Sequence, residues 1–309
     1  MRYLTIFLSL LTLSIHAAEP AYTRQQDVIY GRKFGMALTM DVFRPKTGAN
    51  GAGVIVCVSG GWISSHEAIG VGIFNAMIQP EIARGYTVFA VVHGSQPRFT
   101  IPDAVADINR SVRFIRFHAK EYGIDGDRLG ITGGSAGGHL SLMQGVKPLP
   151  EDPKSPDPVE RVSSKVQAVA CFFPPTDFLN YGQPGHLAWD STLKILLPPF
   201  DFQKQEKNGQ FVLLTGEDKK AAGKEVSPIY FVSASTPPTL IIHGDADALV
   251  PIEQTQRFIE ALKQANVPCH LEVKPGKNHG WANFDPDVKM ICDWFDQYLA
   301  KPAATQPAH

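Results

Sequence analysis

Gly133-x-Ser135-x-Gly137 is the stretch of this 309-residue chain whose residue types are best suited to chemistry. β-prone residues from Leu129 run into it, and a helix-like Leu140-Ser141-Leu142-Met143 follows, so Ser135 falls at a sharp strand-to-helix turn. Such a turn strains the serine backbone, and the residues two before and two after must be small to avoid clashing. It lifts the hydroxyl above the sheet edge and aims the next N–H groups, first that of Ala136, at a neighbouring anion. A glycine-rich turn that cradles a phosphate has the same local spelling. Whether a base and an acid follow in the right places decides between the two.

A serine nucleophile needs a general base, and histidine is suited to that task near neutral pH. Of the ten histidines, His279 in Asn278-His279-Gly280-Trp281 lies after the last strand-like run and before the terminal helix, where such a base belongs. His243 ends a strand-like run and is expected to hold a loop, and His139 to pack beneath the turn. His66, His93, His118, His186 and His270 have no supporting context. The base needs an orienting carboxylate. His243-Gly244-Asp245-Ala246-Asp247 offers two: Asp245, directly after the glycine, suits a turn former, and Asp247 is expected to reach His279. Backbone donors for a developing oxyanion are expected from Gly60, Gly61 and Ala136. Ser59-Gly60-Gly61-Trp62 closes an apolar run at 54–58; a plain glycine turn with a packed Trp62 is the alternative. Trp62 and Trp281, beside these positions, are the expected substrate contacts.

These residues need a scaffold. Apolar runs at 54–58, 87–92, 129–132, 166–172, 239–243 and 269–273 alternate with helical patterns at 73–84, 102–122, 252–265 and 288–299. A hairpin at 27–30 and 38–43 precedes them. The alternation predicts an α/β fold with a mostly parallel sheet covered by helices on both faces, and it puts the chemistry in loops after the carboxyl ends of strands. Two stretches interrupt it. Residues 147–165 carry Pro148, Pro150, Pro153, Pro156 and Pro158 and read as a long loop, functional or mobile. Residues 180–235 hold Trp189, Phe200, Phe202 and Phe211, as a partial lid over an acyl or sugar pocket or as an insertion packed on its own aromatics.

Composition narrows the classes. A hydrophobic content of 44% with 19% charged residues fits a large core, and a net charge of −1 argues against a nucleic-acid partner. Arg2, the apolar run at 4–15 and Ala17-Ala18 read as a cleaved export signal over 1–18, too short for a membrane span. A buried N-terminal helix is the alternative. The expected product is a secreted or periplasmic single domain over 19–309 with no integral membrane span. Four cysteines are too few and scattered for a disulfide framework or zinc site. Cys57 and Cys171 suit the core, and pairing of Cys269 with Cys292 stays open.

Taken together, Ser59-Gly60-Gly61-Trp62, Asp125 to Gly130, Gly133 to His139, His243 to Pro251 and His279-Gly280-Trp281 resemble the α/β-hydrolase fold family. The similarity is to its esterase/lipase branch, near the feruloyl and acetyl-xylan esterases and the hormone-sensitive-lipase-like enzymes, and to prolyl oligopeptidase catalytic domains. The resemblance implies an eight-stranded sheet with an insertion after the sixth strand. It also implies a Ser135–His279–Asp247 triad that cleaves carboxylic esters through an acyl-enzyme, on small-molecule or polysaccharide-borne esters, without metal or organic cofactor. These esterases usually carry His-Gly-Gly before the tryptophan, whereas this chain has Val58-Ser59-Gly60-Gly61, so the histidine that braces the loop is missing. A prolyl-oligopeptidase-type peptidase is the runner-up, disfavoured because such relatives add a large propeller domain. A non-catalytic binding scaffold is the alternative of another class, disfavoured because all three triad residues are present.

Overall fold

The computed structural model describes residues 20–196 and 198–300; the expected export signal over 1–18 lies outside them. The strands are β1 (Tyr22–Lys33), β2 (Met36–Pro45), β3 (Gly53–Cys57), β4 (Thr87–Val91), β5 (Leu129–Gly134), β6 (Ala168–Phe172), the short β7 (Gln203–Gln205) and β8 (Phe211–Leu213), then β9 (Thr239–Gly244) and β10 (Cys269–Lys274). Eight of them form one sheet in the order β1-β2-β4-β3-β5-β6-β9-β10. β1, β2 and β4 pair antiparallel, and every later neighbour pairs parallel. The carboxyl ends of β3, β5, β9 and β10 therefore share one edge, where loops from distant parts of the sequence converge.

The helices are α1 (His66–Ile69), α2 (Gly72–Ala83), α3 (Ile101–Phe117), α4 (Ala119–Tyr122), α5 (Ala136–Val146), α6 (Gly216–Glu225), α7 (Glu253–Gln264) and α8 (Asp285–Tyr298). Strands β3, β4, β5, β6 and β9 are buried on both faces, which is why β3 is an unbroken apolar run. Ile55 and Cys57 join a core with residues of α3, α5 and α7. Val54 and Val56 join a second core with residues of α2 and α8. The period-two alternation of a strand thus assigns each helix layer its own core.

Two expectations on local structure change, and one open alternative is decided. The helix expected over 102–122 is two helices, broken at His118, where the backbone leaves helical geometry, and closed at Gly123 in the left-handed region. Residues 147–165, expected as a structureless loop, are tied to α3. Ser164 donates to Asn109 Oδ1 at 2.7 Å and accepts from Leu149 N at 2.7 Å, and Arg110 of α3 pairs with Asp157 and Glu160, each at 2.6 Å. The insertion turns most of its aromatics inward: Trp189, Phe200 and Phe202 are buried, while Phe211 stays exposed.

Candidate active site

Ser135 lies between β5 and α5 with φ +54° and ψ −117°, a conformation outside the ordinary wells of an L-residue. Its neighbours hold it there. Ser135 N donates to Phe172 O at 2.9 Å, and Ser135 O accepts from His139 N at 2.8 Å. A Cβ on Gly133 would lie 2.5 Å from the Gly137 carbonyl carbon, and one on Gly137 would lie 2.6 Å from Cys57 O. The small residues are therefore required by close backbone approach, not merely tolerated.

The structure brings Ser135, His279 and Asp247 into one chain of hydrogen bonds. His279 Nδ1 lies 2.7 Å from Asp247 Oδ2, and its Nε2 lies 2.8 Å from Ser135 Oγ. A carboxylate only accepts, so Nδ1 carries the proton and Nε2 is left to accept from the serine hydroxyl. Asn278 Oδ1 accepts from Ala248 N at 3.0 Å and from His279 N at 2.7 Å, tying the two loops together. Asp247 has further donors: Leu249 N and Val250 N at 2.9 Å on Oδ1, and His243 Nε2 at 3.2 Å on Oδ2. Burial alone would raise the Asp247 pKa, but the bonds from His243, His279 and the Val250 amide outweigh it and hold the carboxyl well below the usual carboxylate range. His243 itself is fastened to Val250 O at 2.9 Å and Thr255 Oγ1 at 3.1 Å. Asp245 is turned away and accepts from Gly276 N at 2.6 Å.

Two expectations about the loop after β3 are corrected. Gly60 N donates to Ile63 O at 2.9 Å, and Ile63 N returns the bond, so the Gly60 amide is spent inside its own turn. Gly61 has no such backbone partner among the described residues, and Ala136 opens α5, where the N–H lacks an acceptor one turn back. Of the three expected donors, the Gly61 and Ala136 amides are thus the two without a backbone acceptor among the described residues. Trp62 does not line the site: it is 2% exposed, and its ring packs edge-on against Phe178 and Phe200. Its positive φ of 59° turns the side chain inward, and Nε1 donates to His139 Nδ1 at 3.3 Å. Burial pushes the His139 pKa down to about 4, which keeps its Nδ1 free to accept.

Above Ser135 is a cavity of about 370 Å³, walled by Ile73, Phe74, Phe173, Leu196 and Leu249 with Gly61 and His279. Trp281 stands behind this wall. It packs on Phe173 at 5.8 Å between ring centroids and donates to Asp287 at 2.8 Å. Phe173 escaped sequence reasoning, although Phe172-Phe173-Pro174-Pro175 at a strand end was its signal; it has φ +36° and its ring lies 4.5 Å from that of His279. His93 also escaped it, and bonds Ser59.

The four cysteines are free; Cys292 is buried between α8 and the sheet, whereas Cys269 packs against the other core. Among the described residues one group, Asp27, Asp41 and His66, gathers enough donors for a metal ion. Its groups already partner one another and their neighbours. Arg24 holds Asp41 at 2.6 Å, and the two ring nitrogens of His66 face different carboxylates, Asp41 at 3.2 Å and Asp27 at 3.3 Å. No helix among the described residues is long and apolar enough to cross a membrane.

Comparison with known proteins agrees with this architecture. The chain is 30% identical over 292 residues to the probable carboxylic ester hydrolase LipM of Mycobacterium tuberculosis, covering 93% of this chain and 63% of that protein. It is 28% identical to esterase LipQ of the same organism, covering 77% and 52%. The chain thus spans roughly half to just under two thirds of the length of these two relatives. Among solved structures, a truncated carbohydrate esterase from gut microbiota superposes with a TM-score of 0.72 at 24% identity, covering 92% of this chain and 99% of that one. Propionate-bound esterase 2 of Thermogutta terrifontis gives 0.68 at 25% identity, with 92% and 97% covered. A dienelactone hydrolase family model matches residues 223–306. The BD-FAE family model runs over residues 40–262, through the strands that carry Ser135 and Asp247, and this chain, with its α/β-hydrolase fold, belongs to that family.

Proposed function

We propose that the protein is a serine-dependent carboxylic ester hydrolase that works through an acyl-enzyme. The observation that carries this reading is the Ser135–His279–Asp247 chain, at 2.8 and 2.7 Å, at the foot of an apolar cavity. In the first step Ser135 Oγ attacks the ester carbonyl carbon, and its proton passes to His279 Nε2. The carbonyl π pair becomes an oxyanion facing the Gly61 and Ala136 amides, while ionised Asp247 stabilises the imidazolium. Collapse of the intermediate breaks the C–O bond, and His279 returns the proton to the departing alkoxide. Water then repeats the sequence on the acyl-enzyme, releasing the acid and restoring Ser135.

The cavity size supports a short acyl group. The name of one similar protein, the carbohydrate esterase from gut microbiota, supports esters carried on sugars. The basic start and apolar run over 1–18 support export, with one catalytic domain following over 19–309. The reading is tested by turnover of p-nitrophenyl acetate, an acetylated xylan and a prolyl anilide by wild type and Ser135→Ala. Ester cleavage that is lost in the variant, with the anilide untouched, is the expected result. Anilide cleavage would turn the assignment to a peptidase, and ester cleavage that survives in Ser135→Ala would remove Ser135 from the reaction.

A further inference from the structure

Ser59 begins the loop that lacks the usual bracing histidine, and it is held from three sides. Its Oγ lies 2.8 Å from His93 Nε2, its carbonyl accepts from Gly137 N of α5 at 3.2 Å, and it borders the cavity above Ser135. Both members of the Ser59–His93 contact are buried, at 1% and 3% exposure. His93 follows β4, the strand beside β3, and its Nδ1 lies 2.8 Å from Gly94 O. A carbonyl only accepts, so Nδ1 carries the ring proton. Burial, helped by the charge of Lys33, pushes the His93 pKa down to about 4, so near neutral pH Nε2 is a bare acceptor. The Ser59 hydroxyl must therefore donate, and its rotor has one orientation.

The same segment grips the rest of the loop. Ser64 Oγ donates to Val58 O at 2.5 Å and accepts from His93 N at 3.2 Å. Ser95 Oγ accepts from Ser64 N at 2.8 Å, and Gln96 Nε2 donates to Gly61 O at 3.3 Å. Within this frame Ser59 joins the loop both to the helix carrying the nucleophile turn and, through His93, to the neighbouring strand end.

We propose that Ser59 and His93 are a positioning pair that fixes the Gly61 amide relative to Ser135, replacing the absent loop histidine with one from the adjacent strand. The proposal rests on the ester-hydrolase reading. The Gly61 amide meets full negative charge only in the tetrahedral intermediate, so a loosened loop lowers kcat and leaves KM nearly unchanged. A misplacement of about 1 Å is enough for a loss of about a hundredfold.

The test is a double-mutant cycle on p-nitrophenyl acetate with Ser59→Ala, His93→Leu and the double variant, with His93→Gln as the variant that keeps a hydrogen-bond acceptor. Thermal unfolding of each variant is measured alongside. Expected are kcat losses of about ten- to a hundredfold in either single variant, KM within about twofold, and a double variant no worse than the poorer single one. Fluorophosphonate labelling of Ser135 should slow in parallel, because the phosphonyl oxygen needs the same amide, and His93→Gln should recover part of kcat. Should His93→Leu not fold, Ser59→Ala and His93→Gln give the kcat-against-KM split by themselves. Losses that multiply in the double variant, a change confined to KM, or label appearing on Ser59 would overturn the pairing. A wild type that neither turns over the ester nor labels at Ser135 overturns the hydrolase reading and this proposal with it, an outcome distinct from an active wild type with indifferent variants.

Discussion

Asp247, in the loop after β9, and Glu81, in the last turn of α2, both bury a carboxyl group, and their surroundings differ. Asp247 receives two backbone amides and two histidines. Glu81 is fully buried, and neither of its carboxyl oxygens has a hydrogen-bond partner among the described residues. The first group is held ionised by its donors against the cost of burial; for the second, burial stands alone and holds the pKa well above the ordinary value. A buried carboxylate is thus charged where loops converge to supply N–H groups. Where a helix buries a carboxyl with no donor beside it, nothing offsets the burial and the proton is held more tightly.

The comparison is broken most severely at Asp247. Asp247→Asn keeps the shape but removes the charge and disturbs the His279 tautomer, so kcat on p-nitrophenyl acetate should fall by about a thousand- to ten-thousandfold. A loss below about tenfold would mean that the wiring of this carboxylate is structural. Glu81 makes the opposite prediction, in stability. The unfolded chain releases the Glu81 proton above about pH 4.3, whereas the folded chain keeps it, so the folded state binds more protons and loses stability as pH rises through that window. Glu81→Met should gain about 1–3 kcal/mol in urea unfolding at pH 8, less at pH 4.5, with kcat unchanged. An equal gain at both values would dissociate the effect from ionisation. The smallest effect belongs to Asp245→Asn: the amide oxygen still accepts from Gly276, so kcat should stay within about twofold of wild type. A large loss there would transfer the orienting role from Asp247.

What sequence made legible was whatever a few neighbouring residues determine. Gly133-x-Ser135-x-Gly137 predicts the strained turn because the approach of Gly133 to Gly137 lies within five residues; the approach of Gly137 to Cys57 O is seen only in the fold. The alternation of apolar runs and helical stripes predicts the sheet that brings the loops together. Asp245 and Asp247 separate by position after a glycine. Contacts between strand ends are not legible in this way. Ser59 and His93 are 34 residues apart and meet only because β3 and β4 are neighbours. The Gly60 amide is lost to a turn whose closing partner, Ile63, has nothing distinctive in its type. Trp62 turns inward because of a single positive φ and an insertion that offers it Phe200. Residues 147–165 look loose in composition and are pinned by Asn109 and Arg110 of a helix far upstream.

The central claim is that Ser135 is the nucleophile, and covalent trapping tests it most directly. The protein is incubated with a fluorophosphonate probe, digested, and the modified residue located by mass spectrometry, with Ser135→Ala and Asp247→Asn treated in parallel. One adduct on Ser135, absent from Ser135→Ala and slowed in Asp247→Asn, is the predicted result. Label on another residue, or undiminished labelling of Ser135→Ala, would contradict the account.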